Sequence, residues 1–328
     1  METMPLFRGP TTAAVRARAQ GVMLGQLAGD ALGSLVEFES PGQILMKYPL
    51  GVRELIDGGT WNTLAGQPTD DSEMALALTR TLIARGGYDP HAVRAAYVNW
   101  LDSGPFDCGS TIARALQGHP SPDSQANGAM MRASPLGIFG VNHTLGQVAE
   151  WARQDAALTH INPVCVQANA MFVMAIAWAI AKGPEPVDLY RQLLAWAESM
   201  RVDSVLLSAI RGAAQAPPEG YAGANQGWVL IAFQNALWQL VQARSLEEAV
   251  VDTVMRGGDT DTNAAICAVL LGAVQGCDAI PAQWRNAVLG CRPESGSAGV
   301  ARPRPRRFWP TDALDLVEDL LSQPDRKG

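Results

Sequence analysis

The stretch from residue 13 to residue 36, AAVRARAQGVMLGQLAGDALGSLV, decides the fold class. Its apolar positions recur with a helical period. Gly21, Gly25, Gly29 and Gly33 stand four apart, which puts them on one helix face. Each glycine costs a helix roughly 1 kcal/mol relative to alanine. Four on one face need a compensating contact, and a missing side chain permits close approach of another backbone or a ligand. Arg16 and Arg18 precede the apolar part, but Gly25, Gln26, Gly29 and Asp30 interrupt it, so it does not read as a secretory signal.

The same period runs outward from this stretch. Asp89-Pro90 is an N-cap with proline at the first helical position, opening a helix to about Leu101. Thr144 with Gln147, and Ser245 with Glu248, fit capping boxes. Further helical runs cover residues 164–182, 186–200, 227–243 and 262–275, and Leu246 to Met255 is another. No lasting β alternation, βαβ rhythm or fixed-period repeat interrupts them. The chain reads as all-α, one domain over residues 1–328. Residues 292–310 form a connector rich in proline, glycine and arginine, with Arg302-Pro303-Arg304-Pro305-Arg306-Arg307 inside it. It is expected to run over the surface to a last amphipathic helix, Thr311 to Ser322.

Composition narrows the function. Of 328 residues only 17% are charged, against roughly 25% in an ordinary soluble domain. Hydrophobic residues make up 48% and aromatics 6%, so small aliphatics do most of the apolar work. Lys and Arg number 25 against 32 Asp and Glu, a net charge of −7, which argues against a nucleic-acid binder. The longest apolar run, Met171 to Ala181, is too short to span a bilayer and reads as a buried helix, so no membrane partner is expected. The five cysteines (Cys108, Cys165, Cys267, Cys277, Cys291) include no CxxC pair and suit reduced thiols in a cytoplasmic protein.

In so uncharged a chain, two acidic clusters stand out. One is Thr69-Asp70-Asp71-Ser72, the other Gly257-Gly258-Asp259-Thr260-Asp261-Thr262-Asn263, each where a loop turns into a helix. Helix capping accounts for one acid per helix start. It does not account for Asp70 with Asp71, or Asp259 with Asp261. Adjacent like charges need a counter-charge, and few cationic side chains lie near in sequence. Hard oxygen ligands suit Mg²⁺, Mn²⁺ or Ca²⁺ rather than zinc, and two such clusters suit a binuclear site. Glu37, four residues after Gly33, is a third acid, whereas Asp30 suits a hydrogen-bonding anchor for a turn or helix.

Six segments in order resemble the ADP-ribosylglycohydrolase family, from about residue 20 to residue 285. They are Gly29-Asp30-Ala31-Leu32-Gly33 with Glu37; Thr69-Asp70-Asp71-Ser72; Pro105-Phe106-Asp107-Cys108-Gly109-Ser110-Thr111; Asn127-Gly128-Ala129-Met130-Met131-Arg132; Thr159-His160 with Pro163; and Gly258-Asp259-Thr260-Asp261-Thr262. The resemblance implies an orthogonal helical bundle with two divalent cations, Mg²⁺ or Mn²⁺. It implies Thr69, Asp70, Asp71, Asp259, Asp261 and Thr262 as ligands, with Glu37 beside them. It places Asp107 near the anomeric carbon in the arginine-specific branch, so Asp107 and Glu37 are the catalytic candidates. Substrate contacts fall on Ser124, Gln125, Asn127, Gly128, His160 and Trp228. Ala126, Ser110 and Trp228 depart from the family's usual Gly, Asn and Tyr.

The expectation that follows is a monomeric hydrolase releasing ADP-ribose from modified protein side chains, arginine above all. A serine or nucleic-acid linkage, or ADP-ribose binding without turnover, are the alternatives. A prenyl-diphosphate or terpenoid synthase would want aromatic lining and an Asp-Asp-x-x-Asp spacing, which residues 70–74 lack. An Asp-x-Asp-x-Thr phosphatase needs a strand before its motif, where this chain has a helix and a Gly-Gly turn.

Overall fold

The computed structural model describes residues 4–7, 9, 11–242 and 244–322. Among them, α1 (Ala13–Gly33) is followed by α2 (Pro41–Lys47), α3 (Asp70–Arg85), α4 (Pro90–Leu101), α5 (Ser110–Leu116), α6 (Ser134–Phe139), α7 (Leu145–Ala157) and α8 (Pro163–Lys182). The second half supplies α9 (Pro186–Ser199), α10 (Ser204–Gly212), α11 (Val229–Val241), α12 (Leu246–Val254), α13 (Thr260–Gln275), α14 (Ala282–Gly290) and α15 (Ala313–Ser322). The described residues contain no strand, only the isolated bridges Gly58–Thr63 and Ala126–Trp228. The all-α reading holds.

Local chemistry sets the helix ends. Asp89 caps α4 by accepting from the N–H groups of His91 and Ala92. The hydroxyls of Thr144 and Ser245 accept from Gln147 and Glu248 N–H, while a fully reciprocal box forms at Ser40 and Gln43. Two ends depart from expectation near the site. α1 stops at Gly33, because the chain turns through Ser34 to Glu37 into a left-handed Phe38 (φ 66°). α13 starts at Thr260, because Gly257 and Gly258 (φ 72° and 79°) swing the chain straight into the helix. The helical run expected over 227–243 is Val229–Val241, and residue 243 lies outside the described residues.

The glycine face of α1 meets α13 running antiparallel. A Cβ on Gly25 would lie 2.5 Å from the carbonyl oxygen of Ala268, and one on Gly29 2.5 Å from that of Ala264. Gly21 against Gly272, and Gly33 against Thr260 and Asp261, are as close. Each step of four along α1 thus meets a small residue four further back along α13. The contact that offsets the glycines is backbone on backbone. Around this pair the buried apolar side chains form a continuous core. α8 is long and apolar enough to cross a membrane by length and composition, yet 78% of its most apolar window is buried in the fold.

The antiparallel pairing has a positional result: the C-terminal end of α1 lies beside the N-terminal start of α13. Asp30, in the last turn of α1, brings in a third helix. Its carboxylate accepts from Thr69 N–H (3.1 Å), Thr69 Oγ1 (2.8 Å) and Ser72 N–H (3.1 Å). Asp30 therefore caps α3 from across the fold, the anchoring role read from the sequence.

Candidate active site

Three helix ends, the close of α1 and the starts of α3 and α13, meet at one cavity of about 360 Å³. Glu37, Asp70, Asp107, Asp259, Asp261 and Thr262 line it together with Asn127, Gly128 and His160. Ligand atoms of Glu37, Asp107 and Asp261 lie within 4.8 Å of one another. Asp107 enters on the loop between α4 and α5, which Asp70 Oδ2 fastens by accepting from Gly109 N–H (3.2 Å). Glu37 Oε2 accepts the indole N–H of Trp61 (2.6 Å). Asp71 and Thr69 are buried just outside the cavity lining. One Asp71 oxygen accepts from Thr262 Oγ1 (3.1 Å), and the other, Oδ1, is buried without a hydrogen-bond partner.

Capping does not explain these acids, because neither Thr69 nor Asp259 makes a side-chain cap bond. Burial, reinforced by crowding, raises their pKa values. Glu37 is pushed up to about 9 by burial and then by Asp107, and Asp107 to about 9 by burial and then by Asp70. Asp70 rises to about 7, and Asp71 and Asp261 stand well above the usual carboxylate range, burial again leading. The starts of α3 and α13 offer about half a positive charge each, too little for six carboxylates. The cluster needs protons or cations. An all-oxygen donor set, with a buried carboxylate oxygen lacking any partner, fits hard divalent cations.

Unfolded carboxylates titrate near 4, whereas the folded cluster keeps protons up to about 7 to 9. Across that window the folded state binds more protons, so the contribution is full at the acid end and lost as pH rises. The loss is about 1.4 kcal/mol per pH unit for each proton of difference. Scanning calorimetry of EDTA-treated protein should show Tm falling from pH 5.5 to 8.5. Added Mn²⁺ should restore more at 8.5 than at 5.5. A cation-free Tm that climbs with pH would overturn this account.

Part of the lining is a stitched loop. Val229 N–H donates to the Gln125 carbonyl (2.9 Å), and Asn127 N–H to Gly227 (2.9 Å). Asn127 Nδ2 donates to Asp259 Oδ2 (2.7 Å), tying this loop to the acids. Of the candidate substrate contacts, Ser124, Gln125 and Trp228 are not among the lining residues: the Ser124 hydroxyl pairs with that of Thr111, and Trp228 is 42% exposed. Arg132, fully buried, pairs with Asp155 and donates to the Gly128 carbonyl and Thr159 Oγ1. Thr159 Oγ1 also pairs with His160 Nδ1 (2.8 Å), to which its hydroxyl proton is available. With Thr159 donating, the proton of a neutral His160 sits on Nε2, which is buried without a partner while the residue lines the cavity. Burial and then Arg132 lower the His160 pKa to about 3, so it stays neutral.

Sequence reading missed Trp61, Gln226 and Gly227. Trp61 sits in an irregular loop with no motif around it, and Gln226 and Gly227 reach the cavity only through the pairing with residues 125–127.

An all-α bundle whose carboxylates gather at two helix starts over one cavity defines a narrow class of helical proteins. The chain belongs to the ADP-ribosylglycohydrolase family, whose model matches residues 11–324. It is 31% identical over 284 residues to the ADP-ribosyl-[dinitrogen reductase] glycohydrolase of Rhodospirillum rubrum, covering 84% of this chain and 91% of that one. It is 26% identical over 286 residues to the ADP-ribosylarginine hydrolase Tri1 of Pseudomonas putida (strain GB-1), covering 81% and 73%. A solved ADP-ribosylglycohydrolase-related protein complex matches 95% of this chain and 99% of its own at a TM-score of 0.76 and 26% identity.

Proposed function

We propose that this hydrolase removes ADP-ribose from arginine side chains of modified proteins with the help of two divalent cations, Mg²⁺ or Mn²⁺. The observation that carries the reading is the carboxylate cluster sharing one cavity with Asn127, Gly128 and a neutral His160. Two of the relatives also carry names that specify ADP-ribosyl and ADP-ribosylarginine hydrolysis.

Thr69, Asp70, Asp71, Glu37, Asp259, Asp261 and Thr262 would hold the cations. Bound there, they would supply charge neutralisation, an acidified water and a grip on vicinal ribose hydroxyls. The chain's own groups do the rest. Water adds to the anomeric carbon, the bond to the guanidine nitrogen breaks, and that nitrogen needs a proton to leave. Asp107 and Glu37, which line the cavity beside the proposed cations, are the acids at hand. The carboxylate left behind takes the proton shed by the attacking water. Elsewhere in the lining, His160 Nε2–H offers a diphosphate oxygen a donor without adding positive charge. Gly128 keeps this place open: a Cβ there would lie 2.9 Å from Ile112 Cδ1 and 3.2 Å from His160 Cε1. The loop carrying Ser124, Gln125 and Asn127, bridged at Ala126 to Trp228, would frame the adenosine side. The proposed working unit is a monomer. All five cysteines are free, which suits the cytoplasm.

The experiment is a panel of arginine-, serine- and nucleic-acid-linked ADP-ribose, each with Mn²⁺ or Mg²⁺ and with EDTA. Release from the arginine linkage that EDTA abolishes is the expected result. ADP-ribose binding by calorimetry with no release from any linkage would sink the reading in favour of a binding protein.

A further inference from the structure

The arginine- and proline-rich segment is more than a path to α15. Arg304 points inward and is only 6% exposed, while Arg302, Arg306 and Arg307 stay at the surface. The Arg304 guanidinium grips Glu73 through Nε and Nη2 (2.7 Å each). Glu73 lies in the first turn of α3, two residues beyond Asp71. The same guanidinium donates through Nη1 to the carbonyls of Ser103 (3.1 Å) and Gly104 (3.0 Å), and through Nη2 to Ser103 Oγ (2.9 Å). Those residues begin the loop that carries Asp107. Arg302 Nε donates to the Trp61 carbonyl (2.9 Å), and the Trp61 indole holds Glu37. The Arg302 carbonyl accepts from Gln67 Nε2 (2.7 Å), two residues before Thr69. The segment is itself anchored, since Trp309 Nε1 donates to the Arg304 carbonyl and Arg304 N–H to that of Pro293.

We propose that residues 302–304 are a positioning strap: Arg304 sets the Asp107 loop against α3, and Arg302 sets Trp61 and through it Glu37. This rests on the hydrolase reading for its kinetic consequence and on geometry alone for its structural one. A buried ion pair is weak evidence for a stability role, since apolar replacements often serve as well. What a planar, five-donor guanidinium adds is direction, joining two carboxylate oxygens to two loop carbonyls at fixed angles. Pro303 and Pro305 flank it with restricted φ, so little backbone freedom is lost in presenting it.

The test uses Arg304→Lys, Arg302→Ala and Arg302→Lys in the full chain. Lysine at 304 keeps its charge beside Glu73 but cannot also span to the loop carbonyls. Hydrogen–deuterium exchange over residues 102–109 should quicken in Arg304→Lys, and over residues 58–68 in Arg302→Ala. On the arginine-linked substrate with saturating Mn²⁺, kcat should fall about tenfold in each, with KM within about twofold. Tm should hold within about 2 °C for Arg302→Ala, whose side chain is exposed, and Arg302→Lys should recover most of the lost kcat. Unchanged exchange in both loops would overturn the strap, as would faster exchange with kcat intact. If the wild type releases nothing from any linkage, the hydrolase reading fails while the exchange result still decides the strap.

Discussion

Asp261→Asn should cut ADP-ribose release at least about a thousandfold and, in EDTA, raise the melting temperature. The opposite signs are the point of the experiment. Asp261 is 1% exposed at the start of α13, and its Oδ1 accepts from Thr262 N–H (2.8 Å), a bond that an asparagine carbonyl keeps. The substitution preserves volume and that hydrogen bond and removes one carboxylate from a crowd in which burial, then Glu37 and Asp71, oppose its charge. Without cations the fold is relieved of a repulsion or a forced protonation, so Tm rises. With cations, the site loses one of the charges proposed to hold them. A bound cation contributes several kcal/mol to a transition state, and about 1.4 kcal/mol is a factor of ten in rate, hence the thousandfold. Steady-state kinetics with Mn²⁺ and calorimetry in EDTA read the two effects. A variant with near-normal turnover and a lowered Tm would mean that Asp261 serves the fold rather than the chemistry.

What was legible in the sequence was what local spacing encodes. Asp70-Asp71 and Asp259-x-Asp261 announce themselves because each pair is too acidic for one helix start, whatever lies elsewhere. The four glycines of α1 announce a close neighbour in the same way, although nothing in residues 13–36 says that the neighbour is α13. Asp30 was readable as an anchor, while its three donors, at Thr69 and Ser72, could be named only once α3 lay beside α1. The partners hardest to see are those far apart in the chain. Arg304 and Glu73 are 231 residues apart, and no periodicity or cap signal marks a buried guanidinium inside a proline-rich run. His160 is likewise held by a chain of hydrogen bonds from Asp155 through Arg132 and Thr159, each member unremarkable by itself. Departures at helix ends were small in length but not in effect. The stop at Gly33 places Glu37 on a turn, where Trp61 can reach it.

Gly29→Ala should be strongly destabilising, although alanine is the better helix former. Propensity alone favours the substitution by roughly 1 kcal/mol. Against that, the new Cβ would sit 2.5 Å from the Ala264 carbonyl oxygen, 2.8 Å from its carbon and 2.9 Å from Ala265 Cα. All three are backbone atoms of α13, so no rotamer change relieves them. Reaching ordinary contact means separating two long helices by about an ångström, which loosens the seam at Gly25 and Gly21 as well. Overpacking of this kind costs about 1–3 kcal/mol even where side chains can yield, so a net loss of about 3 kcal/mol or more is expected in urea unfolding. Two controls isolate the cause. Gly42→Ala, in α2 with nothing within 4 Å of its Cβ, should be neutral or stabilising. The double variant Gly25→Ala/Gly29→Ala should cost far less than twice the single one, because the first alanine has already parted the helices. The seam also reaches the chemistry, since Gly33 packs directly on the backbone of Thr260 and Asp261. Any Gly29→Ala protein that remains folded should therefore lose turnover about a hundredfold, the penalty for misplacing catalytic groups by an ångström. Additive losses in the double variant, or full activity in the folded single one, would show that the seam is not what holds the acids in register.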